Sequence, residues 1–148
     1  MQEGISDVSE VEAQERRAVI ACIKVAGDDV HVEAQRCAAC GAVTTWDPLA
    51  CPSCGARETL ARFRVAETGR LHAYSIVHRS YPGVPTPFVS AIIDLDDGVT
   101  LKGVLRGVEA RPDAIAFGMP VRMTFDDALG RRDREGRPYV SYVFEPLP

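Results

Sequence analysis

Four cysteines stand in two matching steps, Cys37-Ala-Ala-Cys40 and Cys51-Pro-Ser-Cys54, with ten residues between them. A CxxC step brings two thiolates to one ion while backbone NH groups turn toward the sulfurs. Two such steps make the ligand set of a tetrahedral zinc site. Iron accepts the same four sulfurs. Gly41 and Gly55 follow the two steps, where a left-handed residue lets each turn close. Cysteine fills every ligand position, so no place is left for a water or a substrate. The expected metal is therefore structural, one zinc per chain, replacing a core that a ribbon of roughly 20 residues is too small to build.

Little else in the chain has the pattern of catalytic machinery. Cys22, the fifth cysteine, sits in the apolar run AVIACIKVA with no base beside it, which suits a small buried hydrophobe rather than a nucleophile. There is no G-x-S-x-G elbow and no glycine-rich phosphate loop. Strict alternation puts His72, Tyr74, Ile76 and His78 on one face of a strand, opposite Leu71, Ala73, Ser75 and Val77. His78 is a base or coenzyme A contact on one reading and a surface residue on the other. The stretch 80–87 holds Tyr81 and three prolines, so it is stiff and loses little entropy on docking. Tyr81, Pro82 and His78 are the residues expected to touch a partner or an acyl-CoA. Arg131, Arg132, Arg134 and Arg137 suit phosphate clamping, but Asp133 and Glu135 between them favour a self-neutralising hairpin. No catalytic residue is assigned.

The 148 residues are 46% hydrophobic and 26% charged, an ordinary globular composition. No apolar run reaches the ~20 residues that cross a bilayer. Five acids and no base precede Arg16, unlike a secretory signal, so a cytoplasmic protein with no membrane contact is expected. In such a compartment the cysteines serve a metal rather than disulfides. The net charge is −4, and residues 61–148 carry twelve bases against eleven acids. Nucleic-acid binders show a basic stripe, so a nucleic-acid partner is not expected.

Residues 1–17 read as a polar tail, and residues 18–60 as a hairpin and metal ribbon. The hairpin turns at Gly27-Asp28-Asp29. Strands are expected near 60–66, 70–79, 88–95, 100–106, 120–126 and 139–145, separated by turn signals. Val89, Ala91, Ile93 and Leu95 share one face, as do Leu101, Gly103 and Leu105, and Val121, Met123 and Phe125. Short strands with one apolar face each suit a closed barrel, because closure removes free edges. Residues 61–148 are thus expected to form a five-stranded OB-type barrel, with Gly103 easing a barrel corner. The fold class is mostly β, a rubredoxin-like zinc ribbon followed by an OB barrel.

The order CAACG, CPSCG, GRLHAYSIVH, PFVSAIIDLDDGVTLKGVLRG, GMPVRMTF and YVSYVFEP resembles the OB-fold proteins with an N-terminal rubredoxin-like zinc ribbon. The resemblance runs over roughly residues 30–146. It implies Cys37, Cys40, Cys51 and Cys54 as zinc ligands and a role in acyl-CoA metabolism. Such proteins are small subunits of, or fusions to, thiolases, ketosynthase-like acyltransferases and enoyl-CoA hydratases. The implied function is that of a non-catalytic subunit of a heteromeric thiolase complex, bracing a thiolase-like partner and its acyl-CoA site. The alternatives are a hydratase accessory subunit and a nucleic-acid-binding OB protein. The chain departs from the family at Thr45-Trp46-Asp47-Pro48, where many members have an aromatic-Pro-Pro stretch. Its hairpin start is similar to small thiolase subunits of anaerobic aromatic degradation, such as that of benzoylsuccinyl-CoA thiolase.

Overall fold

A computed structural model describes residues 15–148, so residues 1–14 of the expected tail lie outside the described residues. The strands are β1 (Arg17–Ala18), β2 (Ile23–Ala26), β3 (Asp29–Cys37), β4 (Val43–Thr44), β5 (Leu60–Arg64), β6 (Thr68–Val77), β7 (Phe88–Leu95), β8 (Thr100–Leu105), β9 (Pro120–Asp126) and β10 (Tyr139–Pro146). The helical content among the described residues is two 3-10 turns, Pro112–Ala114 and Ala128–Gly130. No described helix is long and apolar enough to cross a membrane.

Strands β6 to β10 form the barrel. Their order is β10-β8-β7-β6-β9, and an antiparallel β9–β10 ladder from Ser141↔Asp126 to Pro146↔Val121 closes the ring. The seam between β8 and β10 is parallel and has one register pair, Phe144↔Leu105. Closure satisfies the edges that five short strands would otherwise expose. The ribbon is a second sheet built on the long strand β3, which pairs with β2, β4 and β5.

The run AVIACIKV is not one strand. Arg17–Ala18 pairs in parallel with Tyr139–Val140 of the barrel, and the Val19 amide donates to the Val140 carbonyl at 3.1 Å. The chain then turns, and the hairpin proper begins at Ile23. Local apolar pattern cannot distinguish these two partners, because both bury the same kind of residue.

The face assignment of β6 also changes midway. A β-bulge between Leu71 and Ala73 inserts one residue, so Leu71, Tyr74 and Ile76 lie opposite the inward residues Ile93, Ala91 and Val89. Ala73, Ser75 and Val77 face outward with Ile92, Ser90 and Phe88. Strict alternation, with Leu71, Ala73, Ser75 and Val77 on one face, therefore fails: Leu71 faces inward, and past the bulge one extra residue exchanges the two faces.

One buried cluster spans both sheets, joining Ile23, Val32 and Ala34 of the ribbon to Ile93, Val121 and Phe144 of the barrel. Polar links reinforce the junction. The Val65 amide donates to the Val32 carbonyl at 2.8 Å, and Arg36 Nη2 donates to the Asp97 carbonyl at 2.8 Å. Asp97 Oδ2 accepts the Ala66 amide at 2.6 Å. Inside the barrel, a Cβ at position 103 would lie 2.8 Å from Phe144 and 3.0 Å from Tyr142. Glycine there makes room for the two rings, which meet edge to face at 5.6 Å.

Candidate metal centre and exposed surfaces

The two cysteine steps fold alike. Cys37 and Cys51 donate their amides to Ala42 and Ala56, and accept from Gly41 and Gly55 at their own carbonyls, all at 2.8–2.9 Å. The glycines take φ of 79° and 77°, a left-handed conformation that is costly for residues with a Cβ. Each turn delivers one buried sulfur (Cys37, Cys51) and one on an exposed residue (Cys40, Cys54).

All four sulfurs lie within 4.8 Å of one another. Cys37 and Cys54 Sγ are 3.8 Å apart, and Cys40 and Cys51 Sγ are 3.6 Å apart. A tetrahedron with zinc–sulfur bonds of about 2.3 Å has sulfur–sulfur edges of about 3.8 Å. The donor set and size therefore fit one tetrahedral ion.

Electrostatics agree with the geometry. A hydrogen bond from Thr59 Oγ1, 3.1 Å away, is the chief cause that holds the Cys37 thiol down at about 6, with the amides of Cys40 and Ala39 assisting. The amide of Cys54, then that of Ser53, lowers Cys51. Cys54 receives the Ala56 amide, yet desolvation and the three neighbouring sulfurs push it up to about 11. Four thiolates at this spacing repel one another, and a divalent cation is what would let all four ionise.

Cys22 stands apart from the cluster. It is buried, and desolvation pushes its thiol up. In metal-loaded folded protein it should resist iodoacetamide at neutral pH and react only after denaturation. Rapid labelling of Cys22 in the folded protein would contradict a purely packing role.

The remaining sequence candidates are dispersed. His78, Tyr81 and Pro82 are exposed, and Tyr81 is 83% exposed. His72 lies at the bulge on the outer face, and sequence reasoning found no carboxylate for it. The fold supplies one: Asp94 Oδ2 sits 2.8 Å from His72 Nδ1, and Thr100 Oγ1 donates to Asp94 Oδ1 at 2.9 Å. These residues belong to three different strands, so only the barrel register brings them together. In the arginine stretch, one arginine takes up both acids, in line with the self-neutralising reading. Arg137 Nε donates to Asp133 Oδ2 at 2.8 Å, and Arg137 also pairs with Glu135.

Exposed apolar side chains occupy stiff turns. Between the cysteine steps, Trp46 is 59% and Leu49 94% exposed, flanking Pro48. Asp47 is anchored there by Gln35 and by Arg62 at 3.0 Å. Sequence reasoning treated residues 45–48 as a departure from a pattern and missed this surface.

Residues 64–126 match the family described as ChsH2, C-terminal OB-fold domain. A DUF35 domain-containing scaffold protein of Methanocaldococcus jannaschii is 29% identical over 114 residues, covering 76% of this chain and 79% of that protein. A probable enoyl-CoA hydratase alpha subunit of Thermomonospora curvata is 34% identical over 95 residues. The match covers 64% of this chain but only 29% of the hydratase subunit. Among solved structures, a chain of the Ltp2-ChsH2(DUF35) aldolase superposes with a TM-score of 0.61 at 32% identity. That superposition covers 78% of this chain and 84% of the other.

Proposed function

Since the chain belongs to the DUF35 family of OB-fold proteins, we propose that it is an accessory subunit of an acyl-CoA-processing complex. The observation that carries this reading is the set of exposed apolar anchors, Trp46, Leu49 and Tyr81, on turns held rigid by the cysteine ribbon and by prolines. Large aromatic side chains on preorganised turns are the usual centres of protein–protein interfaces. The name of the enoyl-CoA hydratase relative supports the acyl-CoA assignment, and those of the scaffold protein and the aldolase support an accessory role beside an enzyme.

Cys37, Cys40, Cys51 and Cys54 would hold one zinc, which braces the ribbon and takes no part in bond making. Tyr81 and Pro82, with His78 nearby, would touch the partner or its acyl-CoA. Catalytic residues would belong to the partner chain. The resemblance of the hairpin start favours a thiolase-like partner. The hydratase relative favours a second reading, an enoyl-CoA hydratase subunit.

Co-expression with the neighbouring acyl-CoA enzyme chain tests this. The isolated chain should neither cleave nor form β-ketoacyl-CoA, nor hydrate enoyl-CoA, while the mixture does one of these. Tyr81→Ala should weaken assembly by roughly tenfold, about 1.4 kcal/mol, with little change in the stability of the isolated chain. Turnover by this chain alone, abolished by Cys22→Ala, would refute the accessory role.

A further inference from the structure

The barrel seam carries an open trough of about 540 Å³ whose lining comes from five separate segments. Its floor includes Val104 of β8 and Val143 of β10. Val84 and Pro85 contribute to its wall, and Ile20 and Leu129 stand on its lips with 44% and 49% of their surface exposed. Sites for small ligands typically enclose 70–90% of the ligand. Two raised aliphatic lips left in water instead call for a covering surface.

The lip at Leu129 is built against local preference. Ala128 and Leu129 take φ of 54° and 63°, a left-handed backbone that residues with a Cβ rarely adopt. This strained turn places a half-exposed leucine beside the trough. The lining charges are biased to one sign: Lys102, Arg106 and Arg131 against Asp126. Arg106 pairs with Asp126, and Arg131 Nε donates to the Ala128 carbonyl at 3.0 Å. Lys102 Nζ has no side-chain partner among the described residues. A cationic mouth on a chain of net charge −4 selects an acidic occupant.

We propose that the β8–β10 trough receives an extended apolar segment of the catalytic partner, one that carries a carboxylate for Lys102. This rests on the accessory-subunit reading and adds to its exposed anchors a second surface that the partner would cover. The apolar residues of the segment lie on Val104 and Val143 between the Ile20 and Leu129 lips, and its acid meets Lys102 at the rim.

The test uses the complex purified with its acyl-CoA enzyme chain identified by mass spectrometry. Leu129→Gly removes the lip and relieves the left-handed backbone. It should keep or raise the melting temperature of the isolated chain while weakening the complex at least tenfold. Lys102→Glu should weaken the complex similarly, and reversal of the partner's acid should restore it. A photo-crosslinker at position 129 should label an apolar, acid-bearing stretch of that enzyme. Three outcomes overturn the trough assignment and leave the accessory role standing. In the first, both variants bind like the parent chain. In the second, the crosslink lands on a second copy of this chain. In the third, octanoyl-CoA alone protects position 129 while the enzyme chain remains bound. If no acyl-CoA enzyme chain accompanies the protein, the accessory reading fails and the trough proposal with it.

Discussion

Purified protein should carry one equivalent of zinc per chain, and Cys40→Ser should lose it and melt the ribbon sheet. Two sulfur–sulfur edges are already 3.6 and 3.8 Å and all lie within 4.8 Å, so the ion needs little rearrangement to bind. Without it the four thiols within 4.8 Å cannot all ionise, and nothing ties the two cysteine turns together. Binding free energy at such centres acts as folding free energy, about 10–16 kcal/mol in isolated zinc-finger peptides. The effect here should reach beyond the ribbon. Cys37 ends β3, and β3 also carries Val32 and Ala34 of the shared core. Loss of metal should therefore lower the melting temperature of the whole chain and release β5, whose ladder to β3 runs from Glu33↔Arg64 to Cys37↔Leu60. Metal content by elemental analysis, with thermal unfolding before and after chelation, reads both effects. Less than half an equivalent of zinc or iron in native protein, or unfolding unaffected by chelation, would contradict the closed-site assignment.

The second large effect is expected at Gly69. This residue pairs with Leu95 on one side and Val121 on the other, so its backbone is held between two strands. A Cβ there would lie 2.4 Å from the Asp94 carbonyl oxygen and 2.8 Å from the Leu95 Cα. Both are backbone atoms, and neither can rotate away. Gly69→Ala should cost about 3 kcal/mol or more, on the order of 10 °C in melting temperature. Gly83→Ala supplies the comparison. Its φ is 89° but nothing lies within 4 Å of the added atom, so only conformational strain of about 1–2 kcal/mol is expected. Equal losses at the two sites would show that crowding at Gly69 is relieved by strand movement.

Where short-range pattern alone determines structure, the sequence was readable. The two CxxC-Gly steps specify their own turns, and the strands Phe88–Leu95 and Pro120–Asp126 have the expected bounds. The barrel followed from counting short one-faced strands. What escaped depends on residues distant in sequence. The bulge beside His72 arises from the ladder with β7, and no local signal marks it. The pairing of His72 with Asp94 is invisible for the same reason. Arg17–Ala18 leave the hairpin because β10, more than a hundred residues later, offers an edge. Trp46 is legible as a residue, but its exposure depends on how Asp47 is tied to Gln35 and Arg62.

The turn between β7 and β8 decides how the protein presents itself to another molecule. Asp97 binds Arg36 through its carbonyl and the Ala66 amide through its carboxylate, so the ribbon is bolted to the barrel rather than hung from it. Under the proposed function, Trp46 at the ribbon and Tyr81 on the barrel would then act as two heads of one bivalent ligand. Once a partner engages the first, the second is already in place at a high effective concentration, and little orientational freedom remains to be lost. Loosening this single turn would turn a rigid caliper into a hinge. Affinity would fall through avidity alone, although every residue touching the partner was unchanged.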